Sequence, residues 1–320
     1  MTLAWVVGSG GLLGAALCRA LRRDGTALFA PTGRFSWDNE DALRSQFRDA
    51  VKEFAIQATS TGRWELYWAA GVGTMGSAQH ALEPETRAFS GLLQLLAAEP
   101  GLMATAGAVA YASSAGAIYA GSQDAVITEN TPPSPTTAYA REKLKQEELA
   151  RAFALANSHT SALLARISTI YGPGQAQGKQ QGLLTHMARR ILRNQPIQIY
   201  VPYDTIRDYI AVDDAASEMV GALRKVSKDP CHRVLTKIIA SEHPTTIAEI
   251  ISTFRRIARR APRVVTSTSK LSALYSRRVQ FRSIALMSPP QAPKTSLLVG
   301  ISQLMMAERS AFLKSPENTR

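Results

Sequence analysis

Tyr139 and Lys143 stand four residues apart in the run YAREK. On a helix that spacing puts both side chains on one face, one turn from each other. A free phenol has a pKa of about 10, too high for a base at neutral pH. A neighbouring ammonium favours the phenolate, and so does a position in the first helical turn. A tyrosine so placed can give or take the proton of a substrate hydroxyl. Ser113 and Ser114 end the apolar run AVAYASS and are candidates to hydrogen-bond the same substrate oxygen. Alone, Tyr-x-x-x-Lys is a frequent accident. The order of elements around it gives it weight.

The first of those elements is Leu3 to Leu21. Leu3 to Val7 is an uncharged apolar run, as in a strand covered on both faces. Gly8, Gly10, Gly11 and Gly14 follow, and Leu12, Leu13, Ala16, Leu17, Ala20 and Leu21 repeat at helical spacing. Strand, glycine turn and helix aim a helix N-terminus at a phosphate. Gly8 is expected to allow the turn, Gly11 to let the backbone approach a pyrophosphate, and Gly14 to let helix and strand pack closely. The spacing is Gly-x-x-Gly-x-x-Gly, not the Gly-x-Gly-x-x-Gly of the commonest dehydrogenases. A dinucleotide held there supplies a nicotinamide to exchange hydride with the carbon whose hydroxyl proton Tyr139 moves.

Strands are expected at Thr26–Ala30, Phe35–Trp37, Trp64–Ala70, Ala108–Ser114 and Ser161–Ser168, and helices at Glu40–Ala58, Pro84–Ala98 and Thr136 or Thr137 to about Ala156. Thr128–Pro135 holds three prolines in eight residues, which makes it a loop. Alternation of strand and helix means a parallel, doubly wound α/β sheet of Rossmann type. Ala69, Ala70 and Gly71 close the Trp64–Ala70 strand, where a cofactor lies along the carboxyl edge. After the second strand an acidic residue would bind the ribose of NAD, and an arginine would accommodate the 2′-phosphate of NADP. The chain offers Arg34 there and no acid before Asp38, which tilts the choice between NADP and NAD toward NADP.

In 320 residues, 45% hydrophobic and 19% charged, there is room for one large sheet domain and a smaller lobe. No stretch of 18 apolar residues occurs and a strand begins within three residues, so neither a membrane span nor a signal peptide is expected, and a cytoplasmic setting fits. Cys18 and Cys231 lie far apart with no metal spacing, and Cys18 reads as a small buried hydrophobe. The net charge is +12 and the pI near 10.0. Arg255, Arg256, Arg259, Arg260, Arg263, Lys270, Arg277, Arg278 and Arg282 carry much of it without interleaved aromatics, so a solvated basic face is favoured over a nucleic-acid partner.

Six blocks together resemble the extended short-chain dehydrogenase/reductase family, in its NAD-dependent epimerase/dehydratase branch that acts on nucleotide sugars. They are VVGSGGLLGAAL, WAAG, YASSAGAIYAGS, YAREK, RISTIYGPGQ and IRDYIAVDDAA, within about residues 3 to 240. The resemblance implies Tyr139 as the proton-transfer residue. It implies that Lys143 binds the nicotinamide ribose and lowers the tyrosine pKa. The family's serine falls on Ser114 when counted from Tyr139. Counted from Tyr119 it falls on Ala115, so Ser113 or Ser114 must serve from a neighbouring place. Gly8, Gly10, Gly11, Leu12, Leu13, Gly14, Arg34, Ala69, Ala70, Gly71 and Ile167 join Tyr139 and Lys143 as the cofactor set. Ser114, Arg207 and Gln175 are the substrate set, with Arg207 resembling an arginine that holds a nucleotide diphosphate. No metal site is implied, and a homodimer through the helices at Pro84–Ala98 and Tyr139–Ala156 is expected.

The second half reads as a mobile loop at Gln175–Gly182, a helix at Leu183–Arg193, a short strand at Ile197–Val201, and a block Thr205–Asp214 whose Asp213 and Asp214 cap the next helix. A strand at His232–Ala240 returns to the sheet. Thr245 or Thr246 starts a helix, with Glu249 three residues after Thr246 as in a capping box, Ser288–Pro289–Pro290 is a loop, and a lid helix is expected over about Ser296–Leu313 before a frayed end. The domain division is 1–170, with 205–240 returning to it, against a substrate lobe of 171–204 and 241–320. If the hydride returns to the same substrate, the outcome is epimerisation or dehydration. If NADPH is consumed, the outcome is carbonyl reduction. A non-catalytic dinucleotide-binding regulator is the remaining alternative.

Overall fold

The computed structural model describes residues 1–176, 182–229, 231–266, 278–286 and 293–314. Lys270, Arg277, the Ser288–Pro290 loop, most of the Gln175–Gly182 loop and the last six residues lie outside them.

The five residues of β1 (Leu3–Val7) are all buried, and their alternation splits them between two cores. Leu3, Trp5 and Val7 enter one cluster, with Phe47, Phe54, Trp64, Trp68 and Phe89. Ala4 and Val6 enter the other, with Leu17, Leu21, Met219 and Leu223. An apolar run without polar alternation therefore becomes an inner strand with helices on both faces. Beside β1 lie β2 (Ala27–Phe29) and β3 (Arg63–Trp68), and β4 (Ala106–Ser114) and β5 (Thr160–Ile167) follow. The helices between them are α1 (Leu12–Arg23), α2 (Glu40–Thr61), α3 (Gln79–Ala97), a short α4 (Pro100–Met103), a short α5 (Ala115–Ile118) and α6 (Ala138–Ala156).

Beyond β5 come β6 (Thr169–Tyr171), α7 (Leu183–Leu192), β7 (Ile197–Ile199), β8 (Ile206–Ala211), α8 (Val212–Val226), β9 (Val234–Ile239), β10 (Pro244–Thr246), α9 (Ile247–Ala258), β11 (Val264–Thr266) and α10 (Leu297–Leu313). The main sheet has the order β2-β1-β3-β4-β5-β9, with every pairing parallel. The chain leaves β1 toward β2 and then crosses back to β3. The strand order reverses between β1 and β3, and the carboxyl ends there leave a crevice. β9 closes the far edge, as the sequence predicts. β8 does not join it: it pairs with β6 and β10 in a separate sheet, and β7 pairs with β11.

That second region has its own core, built from Tyr171, Met187, Ile191, Ile199, Tyr209, Ile250, Phe254, Ile301 and Leu304. α10 covers α7 and α9, and Arg189 of α7 meets Glu308 of α10 at 2.8 Å. Among the described residues no helix is long and apolar enough to cross a membrane.

Three expectations need correction. Phe35–Trp37 is not a strand: the Ser36 amide donates to Gln46 Oε1 at 2.8 Å, and Phe35 instead packs against Phe47 with ring centroids 4.8 Å apart. The helix expected at Pro84 begins at Gln79, with Pro84 tolerated in its second turn. Asp213 and Asp214 do not cap α8: the N-cap is Ala211, and both aspartates lie in the first turn, where they complement the helix dipole. Asp213 pairs with Arg19 at 2.6 Å, and Asp214 accepts the Thr295 amide at 2.6 Å. Of the cap candidates Thr136 or Thr137 and Thr245 or Thr246, Thr137 and Thr246 each accept an amide three residues on, and Ser296, at the expected start of the last helix, does the same.

Candidate functional site

The glycine turn sits at the crevice. Gly8 has φ +88, and a Cβ on it would stand 2.6 Å from the Ala70 nitrogen, so the ends of β1 and β3 touch there. The Gly11 amide donates to the Gly8 carbonyl at 2.9 Å, and Gly11 is the N-cap of α1. No side chain caps this helix and no acid lies in its first turn. A Cβ on Gly10 would meet nothing within 4 Å. The first turn of α1 thus carries no carboxylate of its own, which suits a phosphate. Leu12 is half-buried and Leu13 buried on the first turn of α1.

One strand over, the segment after β3 runs between α3 and α6. The Ala69 amide donates to the Val7 carbonyl at 2.9 Å. Gly71 faces Glu85 of α3, and Gly73 faces Leu82 of α3 and the ring of Tyr139 on α6. A Cβ at position 73 would lie 2.4 Å from Leu82 Cδ2 and 3.3 Å from Tyr139 Cδ2. The loop can thread this gap only because it lacks side chains there.

Tyr139 is half-buried in the first turn of α6, and Lys143 is buried one turn below. The Lys143 ammonium lies 5.6 Å from the Tyr139 ring centroid and 5.3 Å from that of Tyr111. It donates to Glu85 Oε1 at 2.9 Å. Burial alone would push the Lys143 pKa down. The Glu85 carboxylate, through its charge and its hydrogen bond, outweighs that and holds it well above its ordinary value, so the lysine stays charged. Burial pushes the Tyr111 phenol well up, so it stays protonated.

The two serines part company. Ser113 is buried and donates to Glu147 Oε1 at 2.6 Å. Glu147 is paired with Arg166 at 2.7 Å, and Arg166 donates to the Tyr119 hydroxyl at 2.6 Å. Ser113 is thereby committed to an interior network. Ser114, the last residue of β4 and the N-cap position of α5, is half-buried and makes no side-chain capping bond. Alternation along a strand is why adjacent serines diverge.

Ile167 ends β5 in register with Ser114 and Ile239. Arg34 is exposed in the loop after β2, with its carbonyl accepting from Gln46 Nε2 at 3.3 Å. Arg207 and Gln175 lie in the second region. Arg207 is half-buried on β8, opposite Thr245, and donates to the Ile206 carbonyl at 2.8 Å. The Gln175 carbonyl accepts from Arg189 at 2.8 Å, and its side chain lies against Gly182. The described residues contain no cluster of His, Cys, Asp and Glu able to hold a metal. Cys18 is buried on α1.

Sequence reasoning missed Glu85. It lies on another helix, 58 residues from Lys143, and no local spacing connects them. It missed the Glu147–Arg166 pair for the same reason.

Residues 4–235 match the NAD dependent epimerase/dehydratase family. The chain belongs to that family. Among curated members, dTDP-L-rhamnose 4-epimerase of Burkholderia thailandensis is 32% identical over 98 residues, 30% of this chain and 27% of that protein. The matches span 27% to 37% of the length of the curated relatives. Among solved structures, the UDP-glucose 4-epimerase of Thermus thermophilus, in complex with NAD, is 19% identical and has a TM-score of 0.78, with 97% of this chain and 100% of that one covered. The RMD structure from Pseudomonas aeruginosa, complexed with NADPH, is 21% identical and has a TM-score of 0.76 over 97% of this chain and 100% of that one. At such identities the likeness shows the fold alone.

Proposed function

We propose that this protein is an NAD(P)-dependent enzyme that epimerises or dehydrates a nucleotide sugar, with Tyr139 as acid and base. The observation that carries the reading is the Tyr139–Lys143 pair: an ammonium 5.6 Å from a phenol ring that rests on Gly73, in the segment whose Ala70 abuts Gly8 of the uncapped glycine turn of α1. The residues fit a dinucleotide. The uncapped first amides of α1, with Gly8, Gly10, Gly11, Leu12, Leu13 and Gly14, would hold the pyrophosphate, and Ala69, Ala70, Gly71 and Ile167 would line its path along the sheet edge. When bound, the nicotinamide supplies a hydride acceptor and donor.

The chain's own residues move the proton. Tyr139 takes it from the substrate hydroxyl as the carbon is oxidised and returns it on reduction. Lys143 holds a positive charge beside the Tyr139 phenol. Ser114 hydrogen-bonds the reacting oxygen. Arg207 and Gln175 face the nucleotide diphosphate, for which a guanidinium fork is suited. The UDP- and dTDP-sugar enzymes among the relatives support a nucleotide-sugar substrate. Residues 1–170, with α8 and β9, form the dinucleotide unit. The region built around α7, α9 and α10 receives the sugar, and a second copy packs on α3 and α6, which light scattering tests.

A second reading, NADP-dependent reduction of a sugar carbonyl, is favoured by Arg34 and by the NADPH complex among the similar structures. One assay separates the two. With UDP- or dTDP-hexoses, an epimerase converts one sugar to another with no net change in absorbance at the nicotinamide band. A reductase consumes NADPH. Tyr139→Phe abolishes either turnover while leaving dinucleotide binding in place. Equal turnover by that variant overturns the reading and leaves a regulator that binds the dinucleotide without reaction.

A further inference from the structure

Glu85 has no part in the proton transfer derived above, yet it is built into the site. Its carboxylate and the Lys143 ammonium meet at 2.9 Å, with side chains only 11% and 8% exposed. Gly71 guards the arrangement: its φ is +148, and a Cβ there would come within 2.6 Å of Glu85 Oε1. The carboxylate thus borders the chain at the end of β3, while the ammonium borders Tyr139. An uncompensated ammonium buried here would leave the site with a charge of +1, and the pair makes it neutral.

Charge bears on the cofactor. The nicotinamide ring is cationic when oxidised and neutral when reduced. A site of charge +1 repels the oxidised ring and leaves the reduced ring unaffected. A reaction that returns its hydride needs both forms held through one cycle. We propose that Glu85 is a positioning residue which, by compensating Lys143, lets the site hold oxidised and reduced dinucleotide with comparable strength. The proposal rests on the dinucleotide reading given above and goes beyond it in assigning a role to a residue outside the Tyr139–Lys143 pair.

The test is a calorimetric measurement of the dissociation constants of NADP⁺, NADPH, NAD⁺ and NADH. Wild type binding none of the four overturns the dinucleotide reading and this proposal with it. Where wild type binds, Glu85→Gln weakens the oxidised form relative to the reduced form by roughly tenfold, the size expected of a unit charge at close range in a partly buried site. Glu85→Asp keeps the wild-type ratio. Glu85→Gln combined with Lys143→Met restores it, because that site is again neutral. Lys143→Met alone shifts the ratio the other way, and it reads the same electrostatics if Glu85→Gln does not fold. An unchanged ratio in the single variants, or a double variant that stays shifted, overturns the proposal while the dinucleotide reading stands.

Discussion

Gly14 on α1 lies against the carbonyl of Gly8: a Cβ at position 14 would stand 2.0 Å from that oxygen. The turn and the first turn of the helix are therefore one packed unit, and the helix N-terminus cannot keep its aim if they separate. Gly14→Ala should lower stability by about 1–3 kcal/mol, the usual penalty for overpacking. It should also weaken dinucleotide binding at least tenfold. Urea unfolding and calorimetry check the two effects. Binding at wild-type strength would mean that the turn does not hold the pyrophosphate.

Glu147 and Arg166 form a buried pair beneath the site, with Ser113 and Tyr119 completing its hydrogen bonds. Removing one partner strands the other charge in the interior. Arg166→Met should cost about 3–5 kcal/mol, seen as a fall in the urea midpoint. Ser113→Ala should lower stability by about 1 kcal/mol with kcat little changed. Ser114→Ala should do the reverse, cutting kcat with little loss of stability. A collapse of kcat in Ser113→Ala would reverse the assignment of the two serines.

Arg34 is exposed in the loop after β2, so substituting it should leave the fold alone. If it meets the 2′-phosphate, Arg34→Ala should weaken NADP binding roughly tenfold, the size of a hydrogen bond between charged groups, and leave NAD binding unchanged. Equal effects on both dinucleotides would remove it from the cofactor set.

Glu142 supplies a pH dependence. Burial pushes its carboxyl pKa up, but hydrogen bonds from Lys145, Thr86 and Gln79 outweigh that and hold it below its ordinary value. A carboxylate with a depressed folded pKa stabilises above the unfolded value, near pH 4.3. That contribution is lost as pH falls through the folded value. Urea midpoints measured from pH 7 down to pH 3 should therefore decline below about pH 4.3, and the Glu142→Gln profile should be flatter. Parallel profiles would show that the stabilisation lies elsewhere.

The local pattern of the chain determined a good deal. An apolar run, four glycines and a helical repeat specified β1, the turn and α1, because each depends on neighbours within a few residues. The four-residue spacing of Tyr139 and Lys143 put them on one face of α6 for the same reason, and the caps of α6 and α9 were legible to within one residue, at Thr137 and Thr246. Tertiary structure decided what depended on distant partners. It sent β8 into a separate sheet, because strand pairing is a contact between segments far apart in the chain. It turned Ser113 into the interior and left Ser114 at the strand end, a choice fixed by Glu147 and Arg166 across β4, β5 and α6. It brought Glu85 to Lys143 across two helices. Spacing can place two groups on one helix, but the charge around them is set by whatever the fold packs against it.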